Sequence, residues 1–246
     1  MSDDAGKMFT LPGGATIEMV WVEPGTFAMG SAESEAGRWE DEGPQHEVRI
    51  SRGFYLGKYT VTQAQWAQVM GTRPWEKQDF VLENPDHPAV YVSWEDAQEF
   101  IGRVNGAGEG TWRLPSEAEW EYACRAGTTT PWSFGAEESR VGDHAWYRDN
   151  AWEAGAQYAH LVGTKQPNPW GLYDMHGNVW EWVQDWHGQY PKEAQTDPTG
   201  PEKGTIRVLR GSGYSSLARA VRSGFRYGYT PARRFHCIGF RLAREE

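Results

Sequence analysis

The chain has 246 residues, of which 39% are hydrophobic and 24% are charged, and its formal net charge is −10. The length suits one large domain or two small ones, and the acidic balance argues against a protein that binds nucleic acid through its whole surface. Its two cysteines, Cys124 and Cys237, exclude a disulfide framework and stand in no metal-binding spacing.

Two features of the sequence predict where the protein acts. Residues 1–13 are acidic and lack the apolar stretch of a signal peptide, so we expect them to form a tail before a single domain over residues 14–246. No apolar run approaches the roughly 18 residues of a membrane span. These patterns predict a cytoplasmic monomer with no membrane or nucleic-acid partner, while export by another route stays open.

The first predicted elements are strands. Ile17–Val22 and Thr26–Met29 flank the residues Glu23–Gly25, whose proline and glycine favour a turn, so we expect the two strands to form a hairpin. Further strands are predicted at His46–Ile50 and Phe54–Tyr59.

Three helices are predicted next, at Thr62–Gly71, Ser93–Gly106 and Ser116–Gly127. Each begins at a Ser or Thr that can cap the free N–H groups of a first turn, and each ends at a glycine. The third has the clearest pattern, because Ser116 and Glu119 match a capping box.

The second half of the chain is predicted to consist largely of ordered loops. The chain holds 14 Trp, 29 Gly and 14 Pro, a mixture typical of irregular backbone held by large aromatic side chains. Residues 127–170 fit that description, whereas Trp180 and Trp182 alternate with other residues as in a short strand. No repeat or domain boundary is visible.

One segment, Gly211–Gly239, has an unusual composition. It contains aromatic residues, small residues and arginines, but no Lys, Glu, Gln, Met or Trp. Those five residue types are the ones that no codon of the form N-N-C encodes, and every residue type present has such a codon. The pattern indicates a segment whose codons have varied under that restriction.

Eight short motifs follow one another along the chain. They are Phe27–Gly30, Glu42–His46, Lys58–Thr62, Pro88–Trp94, Arg113–Ala123, Gly171–Trp182, Arg207–Gly211 and Ile238–Arg241. Together they resemble the formylglycine-generating enzyme (sulfatase-modifying factor) family, from about residue 14 to residue 243. The resemblance implies an α+β protein with a C-type lectin-like fold, in which regular secondary structure is sparse and helices flank small twisted antiparallel sheets.

The resemblance also implies a structural calcium site. The side chains of Asp174 and Glu181 and the backbone carbonyls of Gly177 and Val179 match the family's ligands, and oxygen donors of this kind suit a hard cation. The alternative is that Glu181 pairs with an arginine of the C-terminal segment and that Asp174 caps a turn.

The copper chemistry of the family is not implied for this chain. The family's enzymes oxidise a substrate cysteine with copper held by two thiolates, and the matching positions here are Ser216 and Val221. An iron-dependent branch uses an H-x-x-x-H pair from an additional domain, a spacing that the seven histidines do not form. We therefore expect no catalytic residue and no copper or iron.

The C-terminal segment is similar to the variable proteins of diversity-generating retroelements. In those proteins an error-prone reverse transcriptase rewrites adenines of a C-terminal cassette, which turns AAC codons into N-N-C codons. The positions expected to vary and to contact ligand are Tyr214, Ser215, Ser216, Ala218, Ala220, Gly224, Phe225, Tyr227, Gly228, Tyr229, Ala232, Phe235, His236 and Cys237.

The sequence thus predicts a non-enzymatic protein that binds a protein or other macromolecular ligand through a hypervariable face within residues 211–239. Exposed aromatic and small side chains suit recognition, and we expect about half of the aromatic and histidine side chains to be exposed. Arg219, Arg222 and Arg226 are expected to brace the scaffold. The alternatives are an enzyme of the sulfatase-modifying type, or its degenerate relative, and a signalling adaptor domain.

Overall fold

A computed structural model describes residues 6–107 and 110–246, and its strands group into three sheets. The strands are β1 (Lys7–Thr10), β2 (Thr16–Val22), β3 (Gly25–Met29), β4 (His46–Ile50), β5 (Phe54–Gly57), β6 (Trp112–Arg113), β7 (Trp180–Trp186), β8 (Gln195–Thr196), β9 (Arg207–Arg210), β10 (Arg226–Tyr229), β11 (Ile238–Phe240) and β12 (Ala243–Arg244). The helices are α1 (Gln63–Met70), α2 (Trp94–Ala107), α3 (Glu117–Arg125) and the single turn α4 (Val141–His144).

The five-stranded sheet has the order β1-β2-β5-β12-β6, and its strands pair antiparallel. Strand β12 lies between β5 and β6, so a late strand completes a sheet that the first strands begin. Strand β1 pairs with β2 over its whole length, from Lys7 opposite Met19 to Thr10 opposite Thr16. The predicted tail is therefore wrong for residues 7–10, which belong to the domain, while residues 1–5 lie outside the described residues.

Strands β2 and β3 are both present, but the hairpin predicted between them is wrong. Strand β2 pairs with β1 on one edge and with β5 on the other, so it has no edge left for β3. Strand β3 pairs with β4 in a separate three-stranded sheet of order β3-β4-β8. The proline and glycine of Glu23–Gly25 separate the two strands, but they do not determine which strands pair.

The four-stranded sheet, of order β10-β9-β7-β11, holds the strands of the C-terminal segment. Strand β7 pairs antiparallel with β9 and parallel with β11. Strand β10 pairs antiparallel with β9, from Arg226 opposite Arg210 to Tyr229 opposite Arg207. The loops of residues 211–225 and 230–237 therefore leave and re-enter the same sheet.

The three predicted helices are confirmed. In α1 and α3 the hydroxyl of the predicted cap accepts from the N–H three residues on, and the side chain of that third residue accepts from the N–H of the cap. This reciprocal arrangement satisfies donors that a first turn leaves free. The ends of two helices differ from the prediction: α2 continues through Gly106 to Ala107, and at the end of α3 Ala126 adopts the left-handed conformation (φ 47°) one residue before the predicted glycine.

Large aromatic side chains hold the core, as predicted. Trp120 and Trp182 are fully buried, and their indole N–H groups donate to Glu181 Oε2 (2.8 Å) and to the carbonyl of Val92 (3.0 Å). Four short helices and small curled sheets agree with the predicted α+β class. Within the described part of the chain, the helices are all too short or too polar to cross a membrane.

Candidate ligand-binding site

Buried arginines fix the C-terminal segment to the rest of the domain. Arg222 donates to both carboxylate oxygens of Glu42 (Nη2–Oε1 2.7 Å, Nη1–Oε2 2.8 Å) and also contacts Glu35. Burial alone would raise the pKa of the Glu42 carboxyl, but hydrogen bonds from Arg222 and Ser31 bring that pKa below its ordinary value. The pair joins the segment to the residues before β4.

Arg226 makes a second anchor, to the first turn of α3. Its Nε and Nη2 each lie 2.7 Å from an oxygen of Glu117, and Arg210 of β9 donates to Glu121 of the same helix (2.5 Å). Burial would raise the pKa of Glu117, yet the charges of Arg226 and Arg210 hold it below its ordinary value. Two-point charged hydrogen bonds fix geometry strongly, so the bracing roles predicted for Arg222 and Arg226 agree with the structure.

Beside these anchors the segment borders a cleft of about 400 Å³. Eight of the positions predicted to contact ligand line it, namely Ser215, Ser216, Ala220, Phe225, Tyr227, Tyr229, Phe235 and Cys237. The lining also contains Trp39, Arg148, Trp180, Leu217, Arg219 and Ile238. The structure thus gathers more than half of the predicted positions at one place.

Aromatic rings form much of the cleft wall. The ring of Trp180 lies 5.7 Å from that of Tyr227 and 5.9 Å from that of Phe225, and the ring of Trp39 lies 5.1 Å from that of Phe225. Tyr227 and Tyr229 are two residues apart on β10, so their side chains lie on the same face. Tyr227 is 37% exposed and Trp39 is 47% exposed. Such rings offer a ligand large contact areas at low entropic cost.

Six predicted positions do not line the cleft. Tyr214, Ala218, Gly224 and His236 are buried, Gly228 is half-buried, and Ala232 is exposed outside the cleft. The Tyr214 hydroxyl lies 2.6 Å from Nδ1 of His236, whose pKa burial lowers to about 4. A side chain at Gly224 would collide with the hydroxyl of Ser31 and crowd the guanidinium of Arg125. The four buried residues pack inside the domain, so their burial argues against the predicted ligand contact, which stays a prediction.

The bracing role predicted for Arg219 is wrong. Its side chain is exposed and lines the cleft. Among residues 6–107 and 110–246, no acidic side chain lies within 4 Å of its guanidinium. Arg241 takes a bracing role instead, since its guanidinium pairs with Glu181 through two contacts of 2.6 Å.

Sequence reasoning also missed Trp39, Arg148 and Trp180 as cleft residues. They come from three separate parts of the chain, and their only common feature is a large side chain beside a segment rich in aromatics. No local pattern marks them, because their proximity depends on the pairing of β7 with β9 and on the anchoring of the Glu42 loop by Arg222.

The positions that match the family's cysteine pair lie in different surroundings. Ser216 lines the cleft, whereas Val221 is fully buried. Cys237 lies at the cleft floor with 4% of its surface exposed, and Cys124 is buried in α3. Burial raises the pKa of each thiol to about 12, so both are protonated near neutral pH.

The four residues predicted to bind calcium fit the ion in part. Oδ1 of Asp174 is buried without a hydrogen-bond partner among the described residues, and burial raises the pKa of this carboxyl to about 6. A cation bound at Oδ1 would compensate the negative charge of the Asp174 carboxylate. Glu181, however, already pairs with Arg241 and accepts from Trp120. Calcium binding by Asp174, Gly177, Val179 and Glu181 therefore stays a prediction.

Known proteins share this architecture. The chain is 31% identical to the formylglycine-generating enzyme of Streptomyces coelicolor, over 94% of this chain and 90% of that protein. Treponema denticola variable protein 1 superposes with a TM-score of 0.85 at 26% identity, over 98% of this chain and 99% of that chain. PvdO from Pseudomonas aeruginosa superposes with a TM-score of 0.85 at 30% identity, over the full length of both chains.

These likenesses confirm the predicted C-type lectin-like fold of the formylglycine-generating-enzyme type. The model of one family, the sulfatase-modifying factor enzyme 1-like domain, matches residues 5–246, which is nearly the whole chain. The chain belongs to the family of sulfatase-modifying factor enzyme 1-like domains.

Proposed function

We propose that this chain is a non-enzymatic binding protein whose ligand, a protein or another macromolecule, occupies the cleft beside the C-terminal segment. The observation that carries the proposal is that different residues of the segment anchor its backbone and line the cleft. Arg222 and Arg226, which hold the backbone, are buried, whereas Tyr227 and Tyr229 reach the cleft surface. Side chains at the cleft can therefore change while the anchors stay in place.

The codon restriction of the segment supports the same proposal. The residues at the eight predicted positions that line the cleft all belong to types that rewriting of AAC codons produces. The likeness to a protein described as variable, Treponema denticola variable protein 1, covers 98% of this chain and therefore includes the segment. We infer that the cleft is the diversified surface of a retroelement-encoded binder.

The enzymatic alternative is favoured by the relationship to formylglycine-generating enzymes. Against it, the position matching one family cysteine is the core residue Val221, and Cys237 is a buried thiol with a raised pKa. Copper-loaded protein incubated with a cysteine peptide discriminates between the two functions by mass spectrometry. Conversion of the cysteine to formylglycine would establish the enzyme, and we expect none.

A library experiment tests the proposal directly. The eight cleft-lining codons are replaced by N-N-C, and a matched library varies only the buried positions Tyr214, Ala218, Gly224 and His236. We expect most members of the first library to fold, by protease resistance on display, and some to bind an unrelated purified protein such as lysozyme. Equal loss of folding in both libraries would show that the cleft residues are structural, and would refute the proposal.

The DNA beside the gene supplies an independent test. A near-copy of the coding segment for residues 211–242, different only opposite adenines and next to a reverse-transcriptase reading frame, is the expected finding. If the source genome contains neither the near-copy nor the reverse-transcriptase reading frame, the segment is not diversified, and only the proposal of an invariant binding cleft is left.

A further inference from the structure

The charge around the cleft is uneven. No Asp or Glu belongs to its lining, whereas two arginines, Arg148 and Arg219, do. A third, Arg233, lies against the wall, with its guanidinium carbon 4.9 Å from the ring centre of Phe235 and 5.3 Å from that of Tyr229. The aromatic cleft therefore has a positive rim.

Most other arginines of the C-terminal segment have their charge compensated. Arg222 and Arg226 have buried glutamate partners, and Arg234 pairs with Asp96 through two contacts of 2.6 Å. Arg148 shares its charge with Glu153 at 2.7 Å. By contrast, within the described ranges neither Arg219 nor Arg233 has an acidic side chain within 4 Å, although both are exposed.

We propose that the cleft binds an acidic polypeptide segment whose apolar or aromatic side chain enters between the rings while its carboxylates face Arg219 and Arg233. This inference rests on the proposed function and adds to it the chemical class of the partner. A volume of about 400 Å³ accommodates one or two side chains of a peptide. Arginine at such a rim offers paired N–H donors whose geometry matches a carboxylate.

Two other ligand classes fit the charges less well. A cation would find an aromatic wall suited to it, but the arginines at the rim repel it. Single-stranded nucleic acid also suits aromatic rings and arginines, but a chain with a net charge of −10 repels a long phosphate backbone. A short acidic peptide presents its charge only at the rim, so it avoids that repulsion.

The positive rim is separate from the positions expected to vary. Of the three rim arginines, Arg148 lies outside residues 211–239, and Arg219 and Arg233 are not among the predicted variable positions. The wall residues Trp39 and Trp180 also lie outside residues 211–239. Variants of the segment would thus keep the same charge preference while the rings and small residues change. The constant rim sets a class of partner, and the variable wall selects within that class.

The test is a selection of peptides from a random phage-displayed library on the full chain. We expect enriched peptides to contain Asp or Glu next to an aromatic or aliphatic residue. Synthetic copies should bind the double variant Arg219→Ala/Arg233→Ala about tenfold more weakly, as expected for loss of two exposed ion pairs. Higher salt should weaken binding to the unmodified chain. Arg52→Ala, which removes an exposed arginine outside the cleft, is the charge control and should bind normally.

The outcomes separate this inference from the proposed function. If enriched peptides are neutral or basic but lose binding to Tyr227→Ala, the cleft is a binding site and the acidic-partner inference is wrong. If no peptide depends on Tyr227, the proposed cleft function itself fails. A random single-stranded oligonucleotide that binds more tightly than the best peptide, and that loses affinity in the double variant, would overturn the peptide class.

Discussion

Arg226 and Glu117, which are 109 positions apart in the sequence, form a buried two-point ion pair with both contacts at 2.7 Å. The pair connects strand β10 at the edge of the four-stranded sheet to the first turn of α3. Because Tyr227 follows Arg226 directly, the ion pair determines where β10 presents its exposed rings. The geometry of the cleft thus depends on a contact that a ligand in the cleft does not reach.

Replacing Arg226 by alanine should destabilise the domain strongly. The change leaves the carboxylate of Glu117 buried with less compensation, and breaking a buried pair in this way costs about 3–5 kcal/mol. Urea unfolding followed by tryptophan fluorescence measures the loss. Arg219→Ala, which removes an exposed arginine of the same segment, should change stability by less than about 0.5 kcal/mol. Similar losses in both variants would contradict the anchoring role.

Tyr214 and Tyr227 should separate stability from binding. Tyr214 is fully buried, so Tyr214→Ala should cost about 3–5 kcal/mol, as for other large aromatic truncations in cores. Tyr227 is 37% exposed, so Tyr227→Ala should change stability by less than about 1 kcal/mol and abolish ligand binding. Thermal unfolding and binding of a selected peptide are measured on both variants. A large loss of stability in Tyr227→Ala would place that ring in the core.

Asp185 should make stability fall as pH rises between 6.5 and 8. Burial, with the nearby Glu117 charge, raises the pKa of its carboxyl to about 8 from the ordinary 3.8. At pH 6.5 the folded state therefore holds a proton on Asp185 that the unfolded state has already lost. Raising the pH toward 8 removes this proton from the folded state, so the free energy of unfolding falls over this range. Below pH 6.5 the histidines oppose this trend, because burial lowers the pKa of His176 and His160 to about 4.

The variant Asp185→Asn tests that assignment. It cannot titrate, so its unfolding free energy, measured in urea at several pH values between 6.5 and 8, should vary less than that of the unmodified chain. Asp79→Asn, at an exposed position, should keep the original slope. Identical slopes in all three proteins would show that Asp185 is ionised in the folded state.

Calcium should stabilise the domain through Asp174. At a calcium concentration of about ten times the dissociation constant, Tm should rise by about 3 °C. Differential scanning calorimetry with and without a chelator measures this shift, and Asp174→Asn should abolish it. A Tm that is independent of calcium in the unmodified chain would show that the Arg241 guanidinium alone compensates the carboxylates of Asp174 and Glu181.

Local chemistry in the sequence was sufficient to predict the helices. The caps at Thr62 and Ser116 depend on residues three positions away, and both form as expected. The hairpin prediction failed because the partners of β2 are chosen by the whole sheet and not by the turn that follows it. Local reasoning is therefore reliable for an element and not for its neighbours.

The cleft was predicted only in part for a similar reason. Codon composition groups the positions that we expect to vary, but exposure depends on packing against distant residues. Tyr227 and Tyr214 belong to the same residue type and the same segment, yet one is 37% exposed and the other is fully buried beside His236. Of the six aromatic and histidine side chains, three are buried, Tyr229 and Phe235 are half-buried and Tyr227 is exposed, so fewer are exposed than the half that we expected.

Strand β11 begins in the last two residues of the C-terminal segment and β12 follows the segment, and each is required by a different sheet: β11 pairs with β7, and β12 lies between β5 and β6. If the segment is rewritten as proposed, N-N-C codons introduce no stop codon, but a frameshift that arises during the rewriting would remove both strands. The remaining chain would expose the edges of two sheets and would be open to aggregation and proteolysis. Under the proposed function, folding of this domain would therefore act as a check on the reading frame, because a chain with a shifted frame would not persist as a folded protein.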